Sequence, residues 1–159
     1  MAGGSNWYQS VLREADQYRY SLRKEDAKKY KLELLLRAAE KVGEYSPVCD
    51  ECRALQPKIM EAIRELGVIA QMPDRQSLKN HIRAVDEIVA HLQKAHKLVT
   101  RGHYMGVGIG VGMVIGGTLG GVLGSLVDIP AIGTIAGVGL GLIIGRYLDR
   151  RAWQEGKVI

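Results

Sequence analysis

Along the first hundred positions apolar residues recur at the three-to-four spacing of amphipathic helices, with charges of alternating sign between them. The pattern predicts three helices before residue 101. The first runs from Ser5 or Asn6 to Val42, burying Leu12, Ala15, Leu22, Leu32, Leu35, Leu36 and Ala39, and Gly43 stops it. Trp7, Tyr8, Tyr18 and Tyr30 lie along its length. The second opens at Ser46-Pro47 and ends at Leu66, with Gly67 as its stop; Pro57 is expected to kink or break it. The third begins at Asp74 or Ser77, and Leu78, Ile82, Val85, Ile88, Val89, Leu92, Ala95 and Val99 keep a helical period. Only Gly102 interrupts the join to the next apolar run, so a continuous rod into the next helix is expected.

Beyond residue 101 the pattern changes. Tyr104 to Val127 carries no charge over 24 residues, and a second uncharged run goes from Ile129 to Gly145, closed by Arg146 and Tyr147. As helices these runs are roughly 36 Å and 25 Å long, against about 30 Å of hydrocarbon in a bilayer. Asp128, a good N-cap, and Pro130, suited to a first turn, join them too tightly for a loop. The expectation is an antiparallel transmembrane hairpin over 102–147, with helices at 104–127 and 129–147, the turn at 128 and a basic tail at 148–159. The predicted fold class is all-α, a three-helix cytosolic bundle over 1–101 followed by that hairpin.

Glycine spacing sharpens the picture. Gly108, Gly112, Gly116, Gly120 and Gly124 recur at every fourth position, as do Gly133, Gly137, Gly141 and Gly145. Residues four apart share a helical face, so each helix presents a smooth groove for close backbone packing. Further glycines off that line, Gly106, Gly110, Gly117 and Gly121, give the first helix more than one smooth face and point to a homo-oligomer.

Composition and charge fit two environments. Of 22 Lys and Arg, 18 lie between Met1 and Arg101 and 4 after Gly145, while 15 of 20 glycines lie between Gly102 and Gly145. The net charge of +5 is therefore no sign of nucleic-acid binding, and no secretory signal is expected in a start without an apolar core. Lys94, Lys97 and Arg101 before the hairpin and Arg146, Arg150 and Arg151 after it predict both termini in the cytoplasm, on the inner membrane. Arg101, Tyr104, Arg146, Tyr147, Arg150 and Arg151 are then interface anchors, with the arginines meeting anionic lipid headgroups.

One motif carries chemistry, Cys49-Asp50-Glu51-Cys52. At a helix start its thiols lie one turn apart, which suits ordinary thiols, a reversible disulfide or half of a zinc site. Two cysteines support no disulfide framework, and Asp50 and Glu51 oppose a low thiol pKa. The sequence demands no cofactor. Zinc would need a second subunit, or two of His81, His91, His96 and His103, none of which pairs closely with the cysteines along the chain. His96 and His103, seven apart, share a face; solvated or lipid-facing histidines are expected there ahead of a pH-sensing role. No nucleophile and base stand in a catalytic context, so the chain is expected not to be an enzyme.

Gly106-Val107-Gly108-Ile109-Gly110-Val111-Gly112 resembles the glycine repeat in the first helix of the rotor-ring subunit of rotary ATP synthases. The resemblance implies a two-helix hairpin and a ring of such hairpins. That family's carboxylate in mid second helix has no counterpart between Ile129 and Gly145, so proton rotation is not implied. More broadly the chain is similar to glycine-zipper membrane proteins, which include scaffolds, anchors and pore formers. The leading expectation is a non-enzymatic scaffolding subunit in the lipid bilayer, a homo-oligomer or part of a larger membrane complex, with no nucleic-acid partner. The alternatives are a pore of the holin or effector type gated by the cytosolic helices, and a redox- or metal-responsive membrane sensor using Cys49 and Cys52.

Overall fold

The computed structural model describes residues 3–19, 22–72, 74–124 and 131–159. It is all-helical, with α1 (Gly3–Arg19), α2 (Lys24–Lys29), α3 (Leu32–Tyr45), α4 (Asp50–Gln71), α5 (Arg75–His96), α6 (His103–Gly124) and α7 (Ala131–Gln154). Among the described residues the only strand-like pairing is an isolated bridge between Val99 and Val158. The chain forms two compact units, Met1–Lys97 with Ile159, and Leu98–Val158.

In the first unit α3 is the central helix, packed against α1, α4 and α5. Leu35, Ala38, Ala39 and Val42 are wholly buried, with Ile59, Ile63 and Leu66 of α4 and Val85, Ile88 and Leu92 of α5 around them. The described residues here form five helices where the sequence predicts three. Arg23 to Lys29 is almost all charged and offers no apolar stripe, so α2 is short and the chain turns at Lys31 in the left-handed region, φ 54°. Gly43 does not end a helix; it is buried inside α3. Gly67 lies within α4, where any Cβ would strike the ring of Tyr18. Gly67 thus serves close packing, and neither glycine is a helix stop.

The second helix also begins later than expected. Ser46 caps the end of α3, its hydroxyl donating to the Gly43 carbonyl at 3.0 Å, and Cys49 is the N-cap of α4. Pro57 leaves α4 continuous, at the cost of the bond its nitrogen would otherwise donate to Arg53. Asp74 starts α5 as its spacing suggests, accepting from the Ser77 amide at 2.9 Å. The continuous rod is overturned: α5 stops at Lys97 in the left-handed region (φ 55°), residues 98–102 are not helical, and Gly102 has φ 78°.

The second unit is built on α6 against α7. A Cβ at Gly108, Gly112 or Gly116 would collide with the carbonyl oxygens of Gly141, Gly137 and Gly133, and Gly120 meets the backbone of Gly133. Gly145 faces the backbone of Tyr104 and Met105. The Asp149 carboxylate accepts from the amides of Tyr104 at 3.1 Å and Met105 at 3.0 Å, capping α6 from α7.

This unit corrects the membrane expectation. Among the described residues no helix is long and apolar enough to cross a membrane. Nine of the 22 residues of α6 are glycine, which brings no side chain to bury in hydrocarbon, and α7 runs on through Arg146, Asp149, Arg150 and Arg151. The transmembrane hairpin, the multi-pass inner-membrane location, the bilayer scaffold and the pore are set aside with it. The turn at Asp128 and Pro130 lies outside the described residues, as does the packing of Gly124. Of the residues read as interface anchors, Arg101 lies over the Trp153 ring at 5.4 Å and Arg151 pairs with Glu155 at 3.0 Å, while Tyr147 is exposed.

Candidate metal centre

The turn between α3 and α4 places both cysteines. After Tyr45 the chain makes a tight turn through Ser46, Pro47 and Val48, held by the amides of Val48 and Cys49 on the Tyr45 carbonyl at 3.0 and 2.9 Å. Cys49 then adopts the extended conformation of an N-cap, and its Sγ accepts from the Cys52 amide at 3.4 Å. One helical turn therefore brings the two thiols to the same end of α4. Cys52 is fully buried and Cys49 partly exposed.

The last turns of α5 complete the cluster. His91 Nε2 lies 3.3 Å from Cys52 Sγ and 3.7 Å from Cys49 Sγ, and His96 Nε2 lies 3.2 Å from Cys52 Sγ. All four ligand atoms fall within 4.8 Å of one another. A tetrahedral zinc, with bonds of about 2.3 Å to sulfur and about 2.0 Å to nitrogen, has donor–donor edges of about 3.4–3.8 Å. The three sulfur–nitrogen separations, 3.2, 3.3 and 3.7 Å, already sit close to that size. These four side chains could hold a metal ion.

The surroundings favour the ligating form of both imidazoles. Glu51 Oε2 lies 3.1 Å from His91 Nδ1, so that nitrogen carries the proton and donates it, leaving the Nε2 lone pair toward both sulfurs. Tyr45 stacks on His96, ring centroids 3.9 Å apart and planes 18° apart, which fixes the second imidazole. Burial first, and then the neighbouring His91, holds the His96 pKa below its ordinary value, which keeps the ring neutral. Burial pushes the Cys52 thiol up to about 12, aided by Cys49 and by the charge of Glu51. A lone thiolate is thus disfavoured there, and a dication among the ligands reverses that balance by supplying the missing positive charge.

Of the residues singled out in the sequence, Cys49 and Cys52 come together with His91 and His96. His81 does not join them: it is wholly buried, with Nε2 donating to the Tyr30 carbonyl at 3.0 Å. His103 stands at the start of α6, edge-on to Tyr104. The histidine pair was readable from its own spacing, since His91 and His96 fit the H-x₃₋₅-H half of a zinc motif beside C-x₂-C. The two do not share a helical face. Five residues put about 140° between two side chains, so they converge only because the site lies between them at the end of α5. Glu51 and Tyr45, which orient the imidazoles, carry no signal of their own in the sequence. No protein-family model, curated protein or solved structure matches the chain.

Proposed function

We propose that this is a zinc-responsive helical protein in which Cys49, Cys52, His91 and His96 bind a single Zn²⁺ tetrahedrally. The observation that carries this reading is the convergence of two sulfurs and two imidazole nitrogens from α4 and α5, all within 4.8 Å of one another and with three sulfur–nitrogen separations of 3.2–3.7 Å. Two thiolates and two imidazoles suit zinc over calcium or magnesium, which prefer oxygen donors. Two thiolates also cancel the ion's charge, which makes a part-buried site tolerable. With four protein donors the metal has no open position for substrate, so its role is non-catalytic. Loading ties the start of α4 to the end of α5, two segments 39 residues or more apart in sequence. Metal availability thereby sets the stability of that junction.

The test is titration of the reduced chain with Co²⁺ and then Zn²⁺. Tetrahedral S₂N₂ cobalt gives intense visible d–d bands and a thiolate charge-transfer band, which zinc bleaches by displacement. Cys52→Ser and His91→Ala are expected to weaken binding by more than about 100-fold, since even a lost outer partner of a ligand costs about 10–100-fold. An octahedral cobalt spectrum, or unaltered affinity in both variants, would sink the reading.

A further inference from the structure

The four ligands are not chemically equal, and their inequality gives the site a second input. Cys49 and Cys52 are one turn apart with their sulfurs inside the same small cluster, and Cys49 Sγ already touches the Cys52 amide at 3.4 Å. Cys49 is the N-cap, so its backbone is extended and its side chain lies outside the regular helix. Cys49 is partly exposed, whereas Cys52 is fully buried. An accessible thiolate backed by a buried one within reach is the arrangement in which an oxidised sulfur is resolved by its neighbour. The histidines cannot contribute to such a step, and they do not hold a tetrahedral zinc alone.

We infer that a peroxide ejects the metal by joining Cys49 to Cys52, so that the site responds to oxidant as well as to zinc. This rests on the zinc reading above. In the first step Cys49 thiolate attacks a peroxide oxygen, the O–O bond breaks, hydroxide leaves and Cys49 becomes a sulfenic acid. In the second, Cys52 thiolate attacks the Cys49 sulfur, the S–O bond breaks and a second hydroxide leaves. Two thiolates and hydrogen peroxide thus give a disulfide and two hydroxides, with the two electrons passing from sulfur to peroxide. The disulfide sulfurs are neutral and poor ligands, so Zn²⁺ retains only His91 and His96 and departs. A thiol reductant restores both thiolates and the site.

The experiment treats the reduced, zinc-loaded chain with stoichiometric hydrogen peroxide while a chromophoric chelator reports free zinc. The expected result is release of the bound zinc, an apo-chain mass lower by two hydrogen atoms, and a peptide cross-link between Cys49 and Cys52. Dithiothreitol should then restore zinc affinity, which the disulfide lowers by more than about 100-fold, beyond the cost of losing an outer partner. In Cys52→Ser a 1,3-dicarbonyl probe should label sulfenic acid on Cys49, and in Cys49→Ser it should label Cys52 far less. Zinc retained at full peroxide consumption, or released with the cysteines joined between two chains, overturns this inference alone. A reduced chain that takes up no zinc overturns the zinc reading on which it depends.

Discussion

The first unit and the second solve the problem of joining helices by opposite means. Around α3 the helices meet through large apolar side chains such as Leu35, Ile59, Ile63, Ile88 and Leu92, and the four ligand side chains gather where the start of α4 meets the end of α5. Between α6 and α7 side chains are excluded from the seam, and carbonyl oxygens of one helix lie against glycine Cα atoms of the other. Side-chain packing tolerates repair, because a rotamer can move to fill or free space. Backbone packing does not, because the atoms in contact belong to the helix itself. The comparison teaches that glycine means different things in the two units. Gly43 and Gly67 are single small residues in a side-chain core, whereas Gly112 and Gly137 are the seam.

The largest effect should come from breaking that seam. Gly137→Leu has nowhere to go, since a Cβ there already collides with the Gly112 carbonyl, and it should destabilise α6 against α7 by about 3 kcal/mol or more. Hydrogen exchange by mass spectrometry is the check: protection lost in α6 and α7 and kept in α3 to α5. Uniform protection in both would show that the glycine contact contributes nothing. Zinc should act on the other unit with the opposite sign. At a free concentration a hundred times Kd, binding adds about 2.7 kcal/mol, read as slower exchange at the start of α4 and the end of α5. Exchange that slows equally in α6 would contradict a site confined to the first unit.

A smaller effect comes from His81. Burial lowers its pKa below the ordinary 6.5, against the pull of the Tyr30 carbonyl and Glu65, so the folded chain keeps it neutral while the unfolded chain protonates it. Between those two pKa values the unfolded state binds more protons. The stability that neutral His81 confers is therefore complete above about pH 6.5 and drains as pH falls, by at most about 1.4 kcal/mol per pH unit. Among the described residues its Nδ1 has no hydrogen-bond partner, which is consistent with a neutral ring. Urea unfolding at pH 7.5 and 5.5 should show a steeper loss in the wild type than in His81→Leu; equal losses would refute the assignment. The smallest effect is a gain. Among the described residues nothing lies within 4 Å of where a Cβ on Gly110 would stand, so Gly110→Ala should stabilise α6 by about 0.5–1 kcal/mol through helix propensity. A loss of stability measured by thermal unfolding would mean that this face is occupied.

The all-α class, the start of α5 at Asp74 and the change of character after residue 101 were legible because each depends on local spacing or on a cap. The breaks at Lys31 and Lys97 were not, since neither is a residue that favours the left-handed region. The membrane reading drew on charge-free length, and length says nothing of how much of a helix is glycine with no side chain to bury.

The sequence by itself determined the helical class, the four-residue glycine rows and the one-turn pairing of Cys49 with Cys52, since all three follow from periodicity along a single helix. Only the tertiary structure decided that the glycine face of α6 is filled by α7 of the same chain. It likewise chose His91 and His96, and left His81 buried against Tyr30. The physical reason is the same in each case. A helix fixes which residues share its own face, but which face meets which is set by packing between segments far apart in the chain, and ligand sets and seams are made there.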